Sequence, residues 1–92
     1  MRHLPDDDSF PARRQALGAR IRAARLAQNL TQERLHLAAD VDRVTLQRVE
    51  AGHDVLLSTL QRIAYVLDVP LAELVHEETP DRRRGGQPPA GG

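Results

Sequence analysis

Between its two polar ends, the apolar residues of this chain recur three and four positions apart and never alternate, a period that helices satisfy and strands do not. Leu17, Ile21 and Ala24 form one such row, and Leu57, Leu60, Ile63, Ala64 and Leu67 another. Each row is short and ends at a polar joint, so the chain is expected to fold as several short helices. Its 92 residues leave room for one small domain. Aromatic residues are only 2% of the sequence, so Leu, Ile, Val and Ala must fill the core, which suits packed helices better than a sheet sandwich.

The joints carry recognisable start and stop signals. Pro11, a residue favoured at a first helical position, predicts a helix from about there to Gln28, ended by Asn29 and Leu30. Thr31 then caps a second helix running through Leu35 to Ala39, with Glu33 near its positive end. Asp40 and Val41 form a turn, Asp42 caps a third helix from Arg43 to Ala51, and Gly52 stops it. After His53 and Asp54 a fourth helix points Leu57, Leu60, Ile63, Ala64 and Leu67 inward, and Pro70 opens a fifth carrying Leu71, Leu74 and Val75. The expected fold is all-α, a five-helix bundle over residues 11–78, between flexible tails at 1–10 and 79–92.

Several function classes fall away. There is no cysteine, and His3, His36, His53 and His76 have no metal-ligand spacing. No paired carboxylates or nucleophile-base arrangement occurs, and Gly85-Gly86 follows no strand. The expectation is a protein that is not an enzyme and takes no cofactor. Asp6, Asp7 and Asp8 stand where a secretory signal needs apolar residues, and no segment reaches the roughly 20 apolar residues of a membrane span, so a cytoplasmic protein is expected.

The formal net charge is +0, which argues at first against a polyanionic partner. The charges are nevertheless segregated. Between Pro11 and Gly52 the arginines at 13, 14, 20, 22, 25, 34, 43 and 48 outnumber Glu33, Asp40, Asp42 and Glu50. From His53 to Glu78 only Arg62 opposes Asp54, Asp68, Glu73, Glu77 and Glu78. One half is therefore fitted to face phosphates while the other faces away.

The informative stretch is Thr31 to Gly52, two short helices about a tight turn. Leu46 and Val49 point inward, which sends Arg43, Val44, Gln47 and Arg48 outward. Arg bonds guanine O6 and N7, Gln bonds adenine N6 and N7, and Val meets a thymine methyl, so this face has the chemistry to read a major groove. An exposed helical Arg is more often merely solvated; the placing of these two within the motif favours base reading.

The strings LTQERLHLAADVDRVTLQRVEAG and STLQRIAYVLDVPLAEL resemble the Xre/Cro-type, lambda-repressor-like helix-turn-helix domain, from about Leu17 to Leu74. The resemblance implies a transcriptional regulator that binds double-stranded DNA, and because one short recognition helix reads too few base pairs alone, a homodimer is expected. Arg43, Val44 and Arg48 fall where the family reads base edges, with Gln47 beside them. Gln32 falls where the family contacts phosphate, and Thr31, Thr45 and Arg20 are further phosphate candidates. Arg25 and Glu50 match a structural ion pair that holds Arg25 near the DNA backbone. Two positions depart from the pattern: His36 replaces the usual Ala, where an imidazole must turn outward or part the helices, and Asp40 replaces the usual Gly at a positive φ, at a cost of about 1 kcal/mol.

The competing reading is a protein-interaction module, such as the antitoxin of a toxin pair, consistent with the zero net charge and the acidic second half. Arg82, Arg83 and Arg84 suggest a cationic arm, and Tyr65 is expected at the core edge or in a dimer contact.

Overall fold

The computed structural model describes residues 1–4 and 9–75; within them the chain forms five helices, and residues 1–4 are exposed without regular structure. The helices are α1 (Ser9–Ala27), α2 (Gln32–Ala39), α3 (Arg43–Glu50), α4 (Leu57–Leu67) and α5 (Leu71–Leu74). The expected tail at 79–92, with its arginine run, lies outside the described residues, as do residues 76–78.

All five helices contribute to one aliphatic core. Ile21 from α1, Leu35 and Ala39 from α2, Leu46 and Val49 from α3, Leu60, Ile63, Ala64 and Leu67 from α4, and Leu74 from α5 are buried together. Helix α1 lies chiefly on α3, α2 packs between α3 and α4, and α5 closes the bundle against α4 and α1. Fully removing a Leu or Ile side chain from water stabilises the fold by about 1.5–3 kcal/mol. Six of the seven largest fully buried side chains are Leu or Ile, so this cluster dominates folding.

The ends of α1 to α4 share one device. Asn29, Asp40 and Asp68 adopt the left-handed conformation (φ 58°, 57° and 60°), as does Gly52 at φ 97°. In each case the following residue donates its backbone N–H to a carbonyl five residues back: Leu30 to Arg25, Val41 to His36, His53 to Arg48 and Val69 to Ala64. This is the Schellman closure, which satisfies carbonyls that a helix end otherwise leaves unpaired. Leu30, Val41 and Val69 then pack against the core, so each turn also fixes where the next helix starts.

Four expectations need correcting. Helix α1 starts at Ser9, not Pro11, so part of the supposed tail at 1–10 is helical; Pro11 is third in the helix, where an N–H has no intrahelical partner to lose. Asp42 occupies the cap position of α3, yet its side chain makes no capping hydrogen bond. Leu57 is 61% exposed although it shares an angular position with the buried residues of α4. It sits a turn ahead of Leu60, past the end of its packing partners, and Val55 fills the core there instead. Val75 is 50% exposed because α5 is only four residues long and Leu71 and Leu74 use its inner face.

Asp40 is the cap whose strain is most open to test. Replacing it by Gly removes the steric penalty of a Cβ in the left-handed region but enlarges the freedom of the unfolded chain. Asp40→Gly is expected to raise stability by about 0.5–1 kcal/mol and Asp40→Val to lower it by about 1–2 kcal/mol, both read from urea unfolding midpoints at constant slope.

Candidate nucleic-acid interface

Helix α3 divides cleanly into two faces. Leu46 and Val49 are buried and Thr45 is half-buried, whereas Arg43, Val44, Gln47, Arg48 and Ala51 are exposed. At 3.6 residues per turn the exposed residues fill one continuous arc of about 140°. Val44 is 62% exposed and stands between the two arginines on this face. The outer face thus offers two guanidinium groups, one amide and one branched apolar group side by side.

The inner side of the unit is fixed by one polar cluster. Arg25, only 6% exposed, donates Nε–H to Glu50 Oε2 at 2.8 Å and an Nη2 proton to Glu50 Oε1 at 3.0 Å. Its Nη1 donates to the Leu30 carbonyl at 2.9 Å, immediately before α2. The Gln32 amide adds a third hydrogen bond to Glu50, Nε2 to Oε1 at 3.1 Å. The pair is therefore bidentate, desolvated and shared by α1, α2 and α3, and it removes the Glu50 charge from the surface near Arg43 and Arg48.

The other expected site residues are placed as follows. The Thr31 hydroxyl accepts the backbone N–H of Arg34 at 3.0 Å and so caps α2, as its sequence position predicted. Arg20 donates Nη1 to the Leu74 carbonyl at 3.2 Å, which draws it toward α5 and away from the outer face of α3. Arg25 is enclosed by its partners, so its place is in the frame of the unit, with Gln32 beside it.

His36 is half-buried and the core beside its helix stays closed. Its Nδ1 lies 3.1 Å from the Val41 carbonyl, an acceptor, so Nδ1 carries the proton and the ring folds over the α2–α3 turn. Leu35, Ala39, Leu46 and Val49 around it stay buried. The same turn is held from the other side by Arg62, whose Nη1 donates to the Asp40 carbonyl at 3.1 Å.

Sequence reasoning overlooked two residues of α1 that meet the far end of α3. A Cβ on Gly18 would run into the carbonyl oxygens of Val49 and Glu50, the latter 2.7 Å away, so α1 crosses α3 at backbone contact. Arg14 donates Nε–H to the Gly52 carbonyl at 3.2 Å. A glycine inside an otherwise helical pattern was the available signal for the first; the second has none, because its partner is a backbone atom distant in sequence. Among the described residues no cluster of three or more His, Cys, Asp or Glu fit for a metal occurs. No described helix is long and apolar enough to cross a membrane.

Comparison with known proteins places this geometry. The model of the helix-turn-helix family matches residues 21–74. The restriction-modification controller protein C.AhdI from Aeromonas hydrophila is similar with a TM-score of 0.66 and 34% identity, over 68% of this chain and 97% of that one. The apo form of the competence regulator ComR from Streptococcus vestibularis is similar at 0.65 and 31% identity, over 79% of this chain but 26% of that one. The hypothetical transcription factor NHTF from Neisseria is similar at 0.67 and 26% identity, over 92% and 93% of the two chains. No curated protein matches by sequence.

Two outcomes test the frame. Arg25→Met and Glu50→Leu are each expected to cost about 3–5 kcal/mol because each strands a buried charge, while the double variant loses less than their sum by about 2 kcal/mol or more; a urea-unfolding double-mutant cycle measures this. Gly18→Ala is expected to destabilise by about 1–3 kcal/mol, since backbone must move to admit the methyl group, and a thermal melt reads the loss.

Proposed function

We propose that this chain, which belongs to the helix-turn-helix family, is a DNA-binding transcriptional regulator that recognises its operator by laying the outer face of α3 in the major groove. The observation that carries this reading is the continuous exposed arc of Arg43, Val44, Gln47 and Arg48 above a fully buried inner face. Arg43 and Arg48 are assigned to guanine O6 and N7, Gln47 to adenine N6 and N7, and Val44 to a thymine methyl. Glu50 does not oppose them, because its charge is matched by Arg25.

Backbone contacts surround that centre in this reading. Gln32 and Thr31 stand at the start of α2, where free N–H groups and the positive helix end favour a phosphate. Gln32 keeps one amide proton for that purpose after bonding Glu50. Thr45, half-buried at the edge of α3, adds a phosphate contact. Arg25 acts on DNA through Gln32 and Glu50, and Arg20, tied to α5, makes the weakest claim. The active species is a homodimer of the domain spanning residues 11–78, because one eight-residue helix reads too few base pairs to select a site among genomic competitors. Its half-sites would stand about 34–36 Å apart on one DNA face. Leu56, Leu57 and Tyr65, 73%, 61% and 86% exposed, are among the exposed apolar side chains and are assigned to the second copy.

The same exposed residues are what favours a second reading, a module that docks on another protein such as a toxin. The two are separated by DNA affinity: a docking module binds random and selected duplex alike and weakly, whereas a regulator enriches one palindrome from a random pool. Arg43→Ala is expected to cost about 1–3 kcal/mol on the selected site and to relax preference at one base position. Fluorescence anisotropy on single-base operator variants measures it, and an equal loss on every sequence would show that Arg43 only touches phosphate.

A further inference from the structure

Three residues of α1, Arg14, Gly18 and Arg25, fall within about 40° of one another around the helix and meet the carboxyl end of α3. Gly18 lets the backbones touch, and Arg25 is enclosed by Glu50 and Leu30. Arg14 differs from both. Its Nε–H is spent on the Gly52 carbonyl, while its Nη1 and Nη2 groups make no bond among the described residues, and the side chain is only half-buried. One edge of a planar cation is thus anchored and the other is left open.

The anchor point matters electrostatically. The terminal carbonyls of a helix carry a partial negative charge of about half an electron, and Gly52 lies at that pole of α3. A helix with its side chains is about 10–12 Å across, the width of the major groove, so a helix lying in the groove has a phosphate strand along each flank. If α3 occupies the groove, its carboxyl end stands beside a phosphate strand, where a bare negative pole would be repelled. Arg14 covers that pole and replaces it with an outward cation.

We infer that Arg14 is a phosphate-binding residue whose guanidinium, oriented by the Gly52 carbonyl, grips the DNA backbone beside the carboxyl end of α3. The inference rests on the major-groove reading above. The ligand is a phosphodiester of duplex DNA, recognised by charge and geometry and not by base sequence.

The test uses the full chain with Arg14→Gln and Arg14→Lys, titrated by fluorescence anisotropy against a selected duplex and a random duplex over a salt series. Arg14→Gln is expected to bind both duplexes about tenfold more weakly at low salt and to lose about 0.9 from the slope of log affinity against log salt for each bound protomer. Arg14→Lys, which keeps the charge without the Nε–H, is expected to keep the slope. Urea unfolding of each variant separates folding from binding. An unchanged slope in Arg14→Gln, or a loss confined to the selected duplex, overturns the phosphate contact and leaves Arg14 as a clamp on α3. Should Arg14→Gln not fold, single neutral methylphosphonates placed along each strand supply the reading with the unmodified protein. Weakening at a phosphate flanking the half-site that Arg14→Lys shares supports the contact, and no sensitive flanking phosphate overturns it. A wild-type chain that binds neither duplex defeats the major-groove reading itself, an outcome distinct from the loss of Arg14 alone.

Discussion

A carboxylate buried to the depth of Glu50, whose side chain is 4% exposed, can exist as an ion only with its oxygens satisfied, and that requirement organises the domain. Arg25 reaches it from the last turns of α1, Gln32 from the first turn of α2, and Glu50 itself closes α3. The Leu30 carbonyl takes a further donor from Arg25 at the entry to α2. Three helices are thereby referenced to one pair of charged groups, whose planar geometry tolerates little rotation. Aliphatic packing alone would be less exacting, because Leu and Ile cores accept many arrangements of similar volume. The ion pair supplies the direction in which the outer face of α3 looks, and the core supplies the free energy that keeps it there.

The turns make that direction rigid. Three helix ends are closed by Asn or Asp in a conformation that Gly adopts more readily, and each is followed by an apolar residue that locks into the core. At the α2–α3 turn the closure is reinforced twice, by the imidazole of His36 on the Val41 carbonyl and by Arg62 on the Asp40 carbonyl. A bulky polar residue is tolerated where a small one is usual because its ring nitrogen finds a backbone acceptor within its own turn. The substitution thus exchanges close packing for an added hydrogen bond across the joint between the two helices.

Much of this was legible in the sequence, for identifiable reasons. Spacing and caps are local, so the five helices and the capping Thr31 could be placed within a residue or two, while the left-handed Asp40 followed from the family resemblance. The Arg25–Glu50 pair was legible only through the family resemblance, since nothing in the spacing of two residues 25 positions apart reveals a contact. What escaped was tertiary. Leu57 follows the buried period of α4 and is exposed because the helix overhangs its neighbours. Gly18 went unnoticed and is the point where two backbones meet. Arg14 and Arg62 were counted as surface charges, whereas each binds a carbonyl of another element. Asp42 sits at a cap without capping, because position in sequence does not fix a side-chain rotamer.

A chain of zero net charge is an unusual candidate for a polyanion, and what bears on the difficulty is where the charges stand, not their sum. Arg25 and Glu50 pair inside the fold, so neither presents an uncompensated charge to solvent. Asp68 and Glu73 are exposed, but they lie at the end of α4 and on α5, elements that do not include the outer face of α3. At physiological ionic strength a charge is screened over about 8 Å, so a phosphate against α3 responds chiefly to the groups next to it. Those include Arg43 and Arg48 on the face itself and Arg14 at its carboxyl end, with exposed Asp40, Asp42 and Asp54 as anions near α3 in the chain. Affinity for a duplex therefore depends on which of these groups the outer face of α3 presents, and not on the sum over the chain.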